Sequence, residues 1–298
     1  MTHIPITLLA YLLNGLAVIG GKFLISTTLP RPLTYVFYFS AFSLVALILL
    51  PFTLVPSLEA FVLASTSTLL WTSGAYFMFQ ALKLGQASRV VPIIGVLIPT
   101  FLLFDATISL SILPNEIYAV VLFILGLFFL TLSNLKGDFQ KNELIFEVLS
   151  AFFFAISYLV LREAYLRADY LSVLVYSRFI LIPVAIVILL IPSWRRVILF
   201  SSGAISLVKI RSKIGILFLL TQAAGGASEL LLTFAISLAN PALVNSLQGA
   251  QYIFIFVISL VLGRFYPSIF KESYSFASLS GKIFGIILVG AGLYILAF

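Results

Sequence analysis

Five polar side chains stand close together in a strongly apolar part of this chain, within the stretch ELLLTFAISLANPALVNSLQGAQ, residues 229–251. They are Glu229, Asn240, Asn245, Gln248 and Gln251. A carboxylate can bind a cation, an amine or a proton, and a primary amide both donates and accepts hydrogen bonds. Such a group can form a site for a small polar ligand, and what that site does depends on the elements that carry it.

The composition of the chain is that of a membrane protein. Of its 298 residues, 62% are hydrophobic and 9% are charged, and the mean hydropathy is +1.21. Soluble domains carry about 25% charged residues. A spanning helix needs roughly 20 apolar residues, so the chain has room for about ten spans. We therefore expect an integral multi-pass membrane protein, and the membrane we assign to it is a prokaryotic cell (inner) membrane.

The composition also excludes several kinds of chemistry. The chain has no cysteine, so disulfides, zinc–thiolate sites and thiol nucleophiles are excluded, and His3 at the N-terminus is a poor ligand or base. We find no constellation of acids, bases or metal ligands, and expect neither an enzyme nor a bound metal or cofactor. The net charge is +7, and the basic residues lie in short connections between apolar runs, where membrane topology explains them. The charge therefore does not indicate nucleic-acid binding. GLAVIGGKF lacks the Ser or Thr of a phosphate-binding loop, so no nucleotide-driven pump is implied.

Proline residues and charge clusters divide the chain into ten predicted helices. Their bounds are 4–28, 33–55, 60–83, 88–110, 115–134, 144–166, 170–191, 213–238, 241–263 and 280–298. Pro92, Pro99 and Pro183 lie inside these helices and predict kinks. The long connection SWRRVILFSSGAISLVKIRSK is expected to be a solvated basic loop with some contact to anionic lipid.

An internal repeat relates the two parts of the chain. FQALKLGQASRVVPIIG, 79–95, lies over TFAISLANPALVNSLQG, 233–249, with a shift of 154 residues. LNGLAVIGGK, 13–22, lies over FFAISYLVLR, 153–162, with a shift of 140 residues. Each half then holds five predicted helices, and an odd number forces the halves into opposite orientations.

The last predicted helix of each half carries small residues at matching positions. Gly126 pairs with Gly292, and Ala119 pairs with Gly285. The pattern Gly281-x-x-x-Gly285 is typical of close helix packing and favours contact between the fifth and tenth helices. The predicted fold is an all-α membrane protein with ten transmembrane helices in two inverted five-helix repeats. The two repeats are residues 1–136 and 137–298.

The distribution of basic residues predicts the orientation. Fourteen lysines and arginines lie in the odd-numbered connections, against Arg162 and Arg167 on the other side. Because cytoplasmic loops carry the excess of positive charge, both termini are predicted to lie outside.

The architecture and three segments resemble a known family. The segments are the turns ALKLGQASRVVP and AISLANPALVNS and the stretch GKIFGIILVGAG in the last helix. With ten helices in inverted halves, they resemble the drug/metabolite transporter superfamily, specifically its EamA-like branch. The resemblance implies a substrate cavity lined by the end of the third and the start of the fourth helix of each half. It also implies cytoplasmic termini, from which the charge distribution here departs.

Polar residues recur at helical spacing on several predicted helices. Gln222, Gly226, Glu229 and Thr233 share one face of the eighth helix, and Asn245, Gln248 and Tyr252 share one face of the ninth. Thr72, Tyr76 and Gln80 share a face of the third. The candidate substrate-binding residues are Asn14, Trp71, Tyr76, Gln80, Tyr158, Gln222, Glu229, Asn245, Gln248 and Tyr252.

Each of these candidates has an alternative interpretation. The amides can serve as polar contacts between helices, and the aromatic side chains can be packing residues. Arg178 is expected at a depth similar to Glu229, so the two are predicted either to form a structural ion pair or to take part in proton coupling.

The function expected is that of a secondary transporter working by alternating access, with one half rocking against the other. It would export a small organic metabolite, such as an amine, an amino acid or an amphipathic drug-like compound, driven by the substrate gradient or by protons through Glu229. A sugar-phosphate or nucleotide-sugar exchanger is one alternative, and a channel or accessory membrane protein is another. The expected partners are the small-molecule substrate and the lipid bilayer, with the protein a monomer or a homodimer.

Overall fold

The structure of the protein is a computed structural model. It describes residues 3–27, 37, 40–41, 43–84, 87–108, 113–131, 141–202, 213–262, 264–265 and 276–297. In those residues the regular structure is entirely helical. The α-helices are α1 (His3–Thr27), α2 (Leu58–Leu84), α3 (Ala87–Ile108), α4 (Pro114–Thr131), α5 (Lys141–Tyr165), α6 (Tyr170–Tyr176), α7 (Leu181–Leu190), α8 (Pro192–Ser202), α9 (Lys213–Leu238), α10 (Pro241–Ser246), α11 (Gln248–Leu262) and α12 (Phe276–Ala297). The 3₁₀ helices are Leu44–Phe52 and Ser177–Ile180.

Several of these helices have the length and composition of membrane spans. Among the described residues, four segments are long and apolar enough to cross a membrane: His3–Gly20, Lys141–Tyr165, Tyr170–Leu190 and Leu219–Leu238. Shorter apolar helices cover Ile93–Asp105, Pro114–Phe129 and Ile283–Ile295. The chain therefore has the helical, apolar character that a membrane protein requires.

The chain divides into two compact units. The first comprises Met1–Leu29, Ala87–Asp138 and Leu207–Phe298, and therefore holds α1, α3, α4 and α9 to α12. The second comprises Pro30–Gln86 and Phe139–Ser206, and holds α2 and α5 to α8. Each unit thus takes helices from both of the predicted sequence repeats.

In the second unit, α2 packs along α5 through small and hydroxyl side chains. Ser67 donates a hydrogen bond to the carbonyl of Ser157 over 2.9 Å, and Ser150 donates to the carbonyl of Gly74, also over 2.9 Å. A Cβ atom at Gly74 would lie 3.0 Å from the ring of Phe154. Small residues and hydroxyls allow two helices to approach closely where no water is present to satisfy polar groups.

One end of the second unit is fixed by polar contacts. The guanidinium of Arg167 donates to Glu59 over 2.7 Å and to Glu163 over 2.6 Å, which ties α2 to the end of α5. Asp169 caps α6 by accepting from the backbone N–H of Ser172 over 2.9 Å. Desolvation acts to raise the pKa of Asp169, and the hydrogen bonds from Ser172 and neighbouring N–H groups outweigh it, so that its pKa lies below the usual value.

In the first unit, α1 packs along α9. Gly20 lies against the hydroxyl of Thr221, and a Cβ atom at Gly225 would lie 3.6 Å from that of Ala17. The absence of a side chain at Gly20 is what allows these two helices to pack closely here, whereas a Cβ atom at Gly225 would make an ordinary van der Waals contact.

Helices α4 and α12 of the first unit pack through a reciprocal contact. A Cβ atom at Gly126 would lie 2.9 Å from the carbonyl oxygen of Gly285 and 2.8 Å from the side chain of Val289. A Cβ atom at Gly292 would lie 3.1 Å from the carbonyl oxygen of Ala119 and 2.8 Å from the ring of Phe123. Adding 166 to the residue numbers on α4 gives their counterparts on α12, so exchanging the two helices reproduces the same set of contacts. The close packing of the fifth predicted helix on the tenth is confirmed.

The connections between helices lie near the prolines and charge clusters that predicted the helix boundaries, with two differences. Asn240 caps α10 by accepting from the N–H of Ala242 over 2.8 Å, and Pro241 opens that helix, as the sharp turn predicted. Before Pro183 the helix tightens into the 3₁₀ segment Ser177–Ile180, because the ring removes the N–H that would bond four residues back. Around Pro51 the chain forms a 3₁₀ helix, and the connection predicted as a basic loop begins with α8.

Candidate functional site

Helices α10 and α11 bring polar side chains into the interior of the first unit. All six residues of α10 are buried. The helical path is interrupted at Leu247, where α10 ends and α11 begins. Gln248 and Tyr252 are one turn apart on α11 and therefore share a face, as predicted.

Asn14 and Gln251 join α1 to α11. The amide nitrogen of Asn14 donates to the amide oxygen of Gln251 over 3.2 Å, and Gln251 is 1% exposed. The hydroxyl of Tyr11 donates to the carbonyl oxygen of Asn245 over 3.5 Å. The side-chain amide of Asn245 donates to the carbonyl of Pro241 over 2.9 Å and so holds α10 itself. These amides connect the helices that surround the neighbouring residues Gln248 and Tyr252.

The phenolic hydroxyl of Tyr252 is shielded from solvent and makes no hydrogen bond with any residue that the structure describes. It lies against α3 at Gly95, where a Cβ atom would be 2.9 Å from the hydroxyl oxygen and 3.4 Å from the side-chain amide of Gln248. The missing side chain at Gly95 lets both side chains approach α3 closely, and we call this contact between Gly95, Gln248 and Tyr252 the Gly95 notch. A hydroxyl and a primary amide there can donate to and accept from one polar group of a ligand.

The polar stripe predicted on α9 lies beside the surface that contacts α1. Gln222, Gly226 and Glu229 are partly exposed, and a Cβ atom at Gly226 would meet no described atom within 4 Å. The hydroxyl of Thr233 donates to the carbonyl of Glu229 over 2.9 Å. The stripe is therefore open at its centre and carries one carboxylate.

The remaining candidates lie in the second unit. Gln80 donates to the hydroxyl of Tyr76 over 2.7 Å, and this pair is exposed on α2. Trp71 packs edge-on against Phe154 with ring centroids 5.5 Å apart, and Tyr158 is buried on α5. These last two therefore contribute to the packing of α2 on α5.

Arg178 lies in the 3₁₀ segment of the second unit and is half-buried, whereas Glu229 belongs to the first unit. An ion pair between them stays a prediction.

Sequence reasoning missed several residues. Tyr11 and Gly95 contribute to the surroundings of α10 and α11, and neither was a candidate. Glu143 and Glu147, one turn apart on α5, are both fully buried. Glu143, Glu147 and Ser150 are spaced by four and three residues, which places them on one face of α5. This spacing could have pointed to the two buried glutamates from the sequence. In the described residues no three acidic or histidine side chains are grouped so as to hold a metal ion.

Comparison with known proteins shows a likeness of fold and no likeness of sequence. No protein-family model matches the chain, and no curated protein sequence matches it. Among solved structures, the crystal structure of a protein superposes on it with a TM-score of 0.64 at 15% sequence identity. The superposition covers 99% of this chain and 96% of the other. At this identity the likeness shows a shared fold over nearly the whole length of both chains.

Proposed function

We propose that this chain is a secondary transporter of the drug/metabolite transporter type, similar to the EamA-like branch. It moves a small organic metabolite across a prokaryotic inner membrane, in the direction of export, by alternating access. The observation that carries the proposal is the Tyr252 hydroxyl, which is buried, lacks a protein partner among the described residues and lies against Gly95.

A buried hydroxyl without a hydrogen bond costs about 1–3 kcal/mol, so a protein retains one where a ligand or water can satisfy it. Gln248 beside it adds one donor group and one acceptor. The ligand that suits this pair is a small molecule with a neutral polar group, such as an amide, a hydroxyl or a carbonyl. Glu229, on the stripe of α9, provides the carboxylate for an amine or for a proton.

The packing of helices supports the ten-span inverted repeat that this type of transporter requires. Under that repeat the first and sixth spans correspond, as do the third and eighth. The pairing of α2 with α5 in one unit then corresponds to the pairing of α9 with α1 in the other. The reciprocal glycine contacts of α4 and α12 likewise correspond to each other. Such self-complementary contacts are what a twofold relation produces.

Neutral hydrogen-bonding groups favour an organic substrate over a phosphorylated one. A phosphate carries about two negative charges and is usually bound by lysine or arginine. The three residues of the notch, Gly95, Gln248 and Tyr252, are uncharged. An exchanger of sugar phosphates would need cationic side chains at this position.

The proposal is tested by counterflow in proteoliposomes. The purified chain is reconstituted and screened with radiolabelled amino acids, amines and nucleosides. A carrier shows saturable uptake that unlabelled substrate inside the vesicles accelerates, because the loaded protein reorients to return the label. Uptake that rises linearly with concentration and ignores internal substrate would indicate a channel and would overturn the proposal.

A further inference from the structure

Helix α8 begins directly where an apolar span ends. The segment Tyr170–Leu190 has the length and composition of a membrane span, and only Ile191 separates it from Pro192, the first residue of α8. The last turn of α7 is apolar, and it is exposed except at the buried Ile188, with Leu190 73% exposed. The first turn of α8 therefore lies at the depth of the lipid headgroups if the preceding segment spans the bilayer.

The first turn of α8 is cationic and exposed. Arg195 and Arg196 are exposed, Trp194 is 41% exposed, and Ile198 in the next turn is buried. The turn contains no acidic residue, and neither arginine makes an ion pair with a residue that the structure describes. Positive charge near a helix N-terminus opposes the helix dipole. These arginines therefore do not stabilise α8 and have no described counter-charge within the protein.

We propose that Trp194, Arg195 and Arg196 bind the headgroup of an anionic phospholipid. A guanidinium binds phosphate oxygens in a bidentate geometry and is only weakly hydrated, which suits a lipid phosphodiester. Tryptophan favours the membrane–water interface, where its ring contacts acyl chains while its N–H stays in a polar layer. The exposed apolar turn before α8 provides the acyl contact that a free phosphate lacks, so the occupant is a lipid and not a soluble anion.

The test is lipid binding by the purified full chain, measured by native mass spectrometry with phosphatidylglycerol and phosphatidylcholine. Each basic residue near an anionic surface contributes about fivefold to a binding constant, so the double variant Arg195→Gln with Arg196→Gln should lose about thirtyfold in affinity for phosphatidylglycerol. Affinity for phosphatidylcholine should be unchanged. The matched control is Arg264→Gln, another exposed arginine, which follows α11 and should bind phosphatidylglycerol as the wild type does.

Three results would overturn the proposal. They are equal phosphatidylglycerol affinity in the double variant and the wild type, equal affinity of the wild type for the two lipids, and binding of glycerol 3-phosphate as tight as that of the lipid. A double variant with a lowered melting temperature would be replaced by Arg195→Lys with Arg196→Lys. The lysine variant keeps the charge and loses the bidentate guanidinium geometry, so its affinity for phosphatidylglycerol should fall between those of the wild type and the double glutamine variant. An affinity equal to that of the wild type would contradict headgroup binding by the two guanidiniums.

Discussion

At the scale of single residues, the Gly95 notch depends on the absence of one side chain. In Gly95→Ala the new Cβ atom would lie 2.9 Å from the Tyr252 hydroxyl, which is the far end of a side chain that can turn away. Alanine is also favoured over glycine in a helix by about 1 kcal/mol. We therefore expect an unchanged or higher melting temperature together with at least a tenfold loss of transport affinity, measured by counterflow.

The matched control for this substitution is Gly290→Ala, because a Cβ atom there meets no described atom within 4 Å. It should raise the melting temperature slightly through the same helix preference and leave the transport affinity close to that of the wild type. Full transport by Gly95→Ala would show that the notch does not contact the substrate.

Glu229 is the carboxylate to which we assign proton coupling. Glu229→Gln removes the titratable group and keeps the shape, so flux driven by a pH gradient should be lost while counterflow is retained. Glu163→Gln is a suitable control, because its carboxylate is exposed and pairs with Arg167 at the end of α5. If Glu147→Gln stopped driven flux and Glu229→Gln did not, the coupling group would lie in the second unit.

The sequence could predict the polar members of the site and not the residue that shapes it. Helical spacing placed Gln248 and Tyr252 on one face, which the structure confirms. Gly95 carries no polar group, and its role follows only from the approach of α3 to α11. The partner of Asn14 depends likewise on which helices meet, and spacing within one helix carries no information on that.

At the scale of helices, the contact between α4 and α12 predicts matched effects of two substitutions. Gly126→Ala and Gly292→Ala both bring a Cβ atom to within about 3 Å of a backbone oxygen of the opposite helix, which cannot turn away as a side chain can. Overpacking of this kind costs about 1–3 kcal/mol. Each variant should lower the melting temperature of the purified protein by several degrees.

Equal losses in the two variants would support the twofold relation, because the two glycines occupy corresponding positions. A large loss in one variant with none in the other would contradict it. Gly290→Ala on α12 is again the control, since its position is open.

Most helices could be predicted from prolines and apolar runs, and their described ends lie within four residues of the predicted bounds. Helix α8 was missed because its two arginines and its serines lie in a basic connection, where charge suggested a loop. Pro192 at its first position fixes the backbone for a helix and was the overlooked signal. The grouping of helices into two units was not predictable, because it follows from contacts between distant segments.

At the scale of the whole molecule, the charge distribution predicts that both termini lie outside the cell. A C-terminal alkaline phosphatase fusion should then be active in a bacterial host, and a C-terminal fluorescent-protein fusion should be dark. The reverse pattern would place the basic connections, α8 among them, on the outer side. It would then agree with the orientation that the family resemblance implies.

The chain divides into two compact units, each of which takes helices from both sequence repeats. The proposed site does not depend on their arrangement, because Gly95, Gln248 and Tyr252 all belong to the first unit. The central claim is therefore local: the buried hydroxyl of Tyr252 binds the transported molecule.

The most direct measurement compares Tyr252→Phe with the wild type in both thermal unfolding and counterflow. Removing a buried hydroxyl that lacks a hydrogen bond should leave the melting temperature unchanged or raise it, because a desolvation cost of about 1–3 kcal/mol disappears. Loss of a substrate hydrogen bond should weaken the transport affinity about tenfold or more. Unchanged affinity in a stable variant would contradict the account.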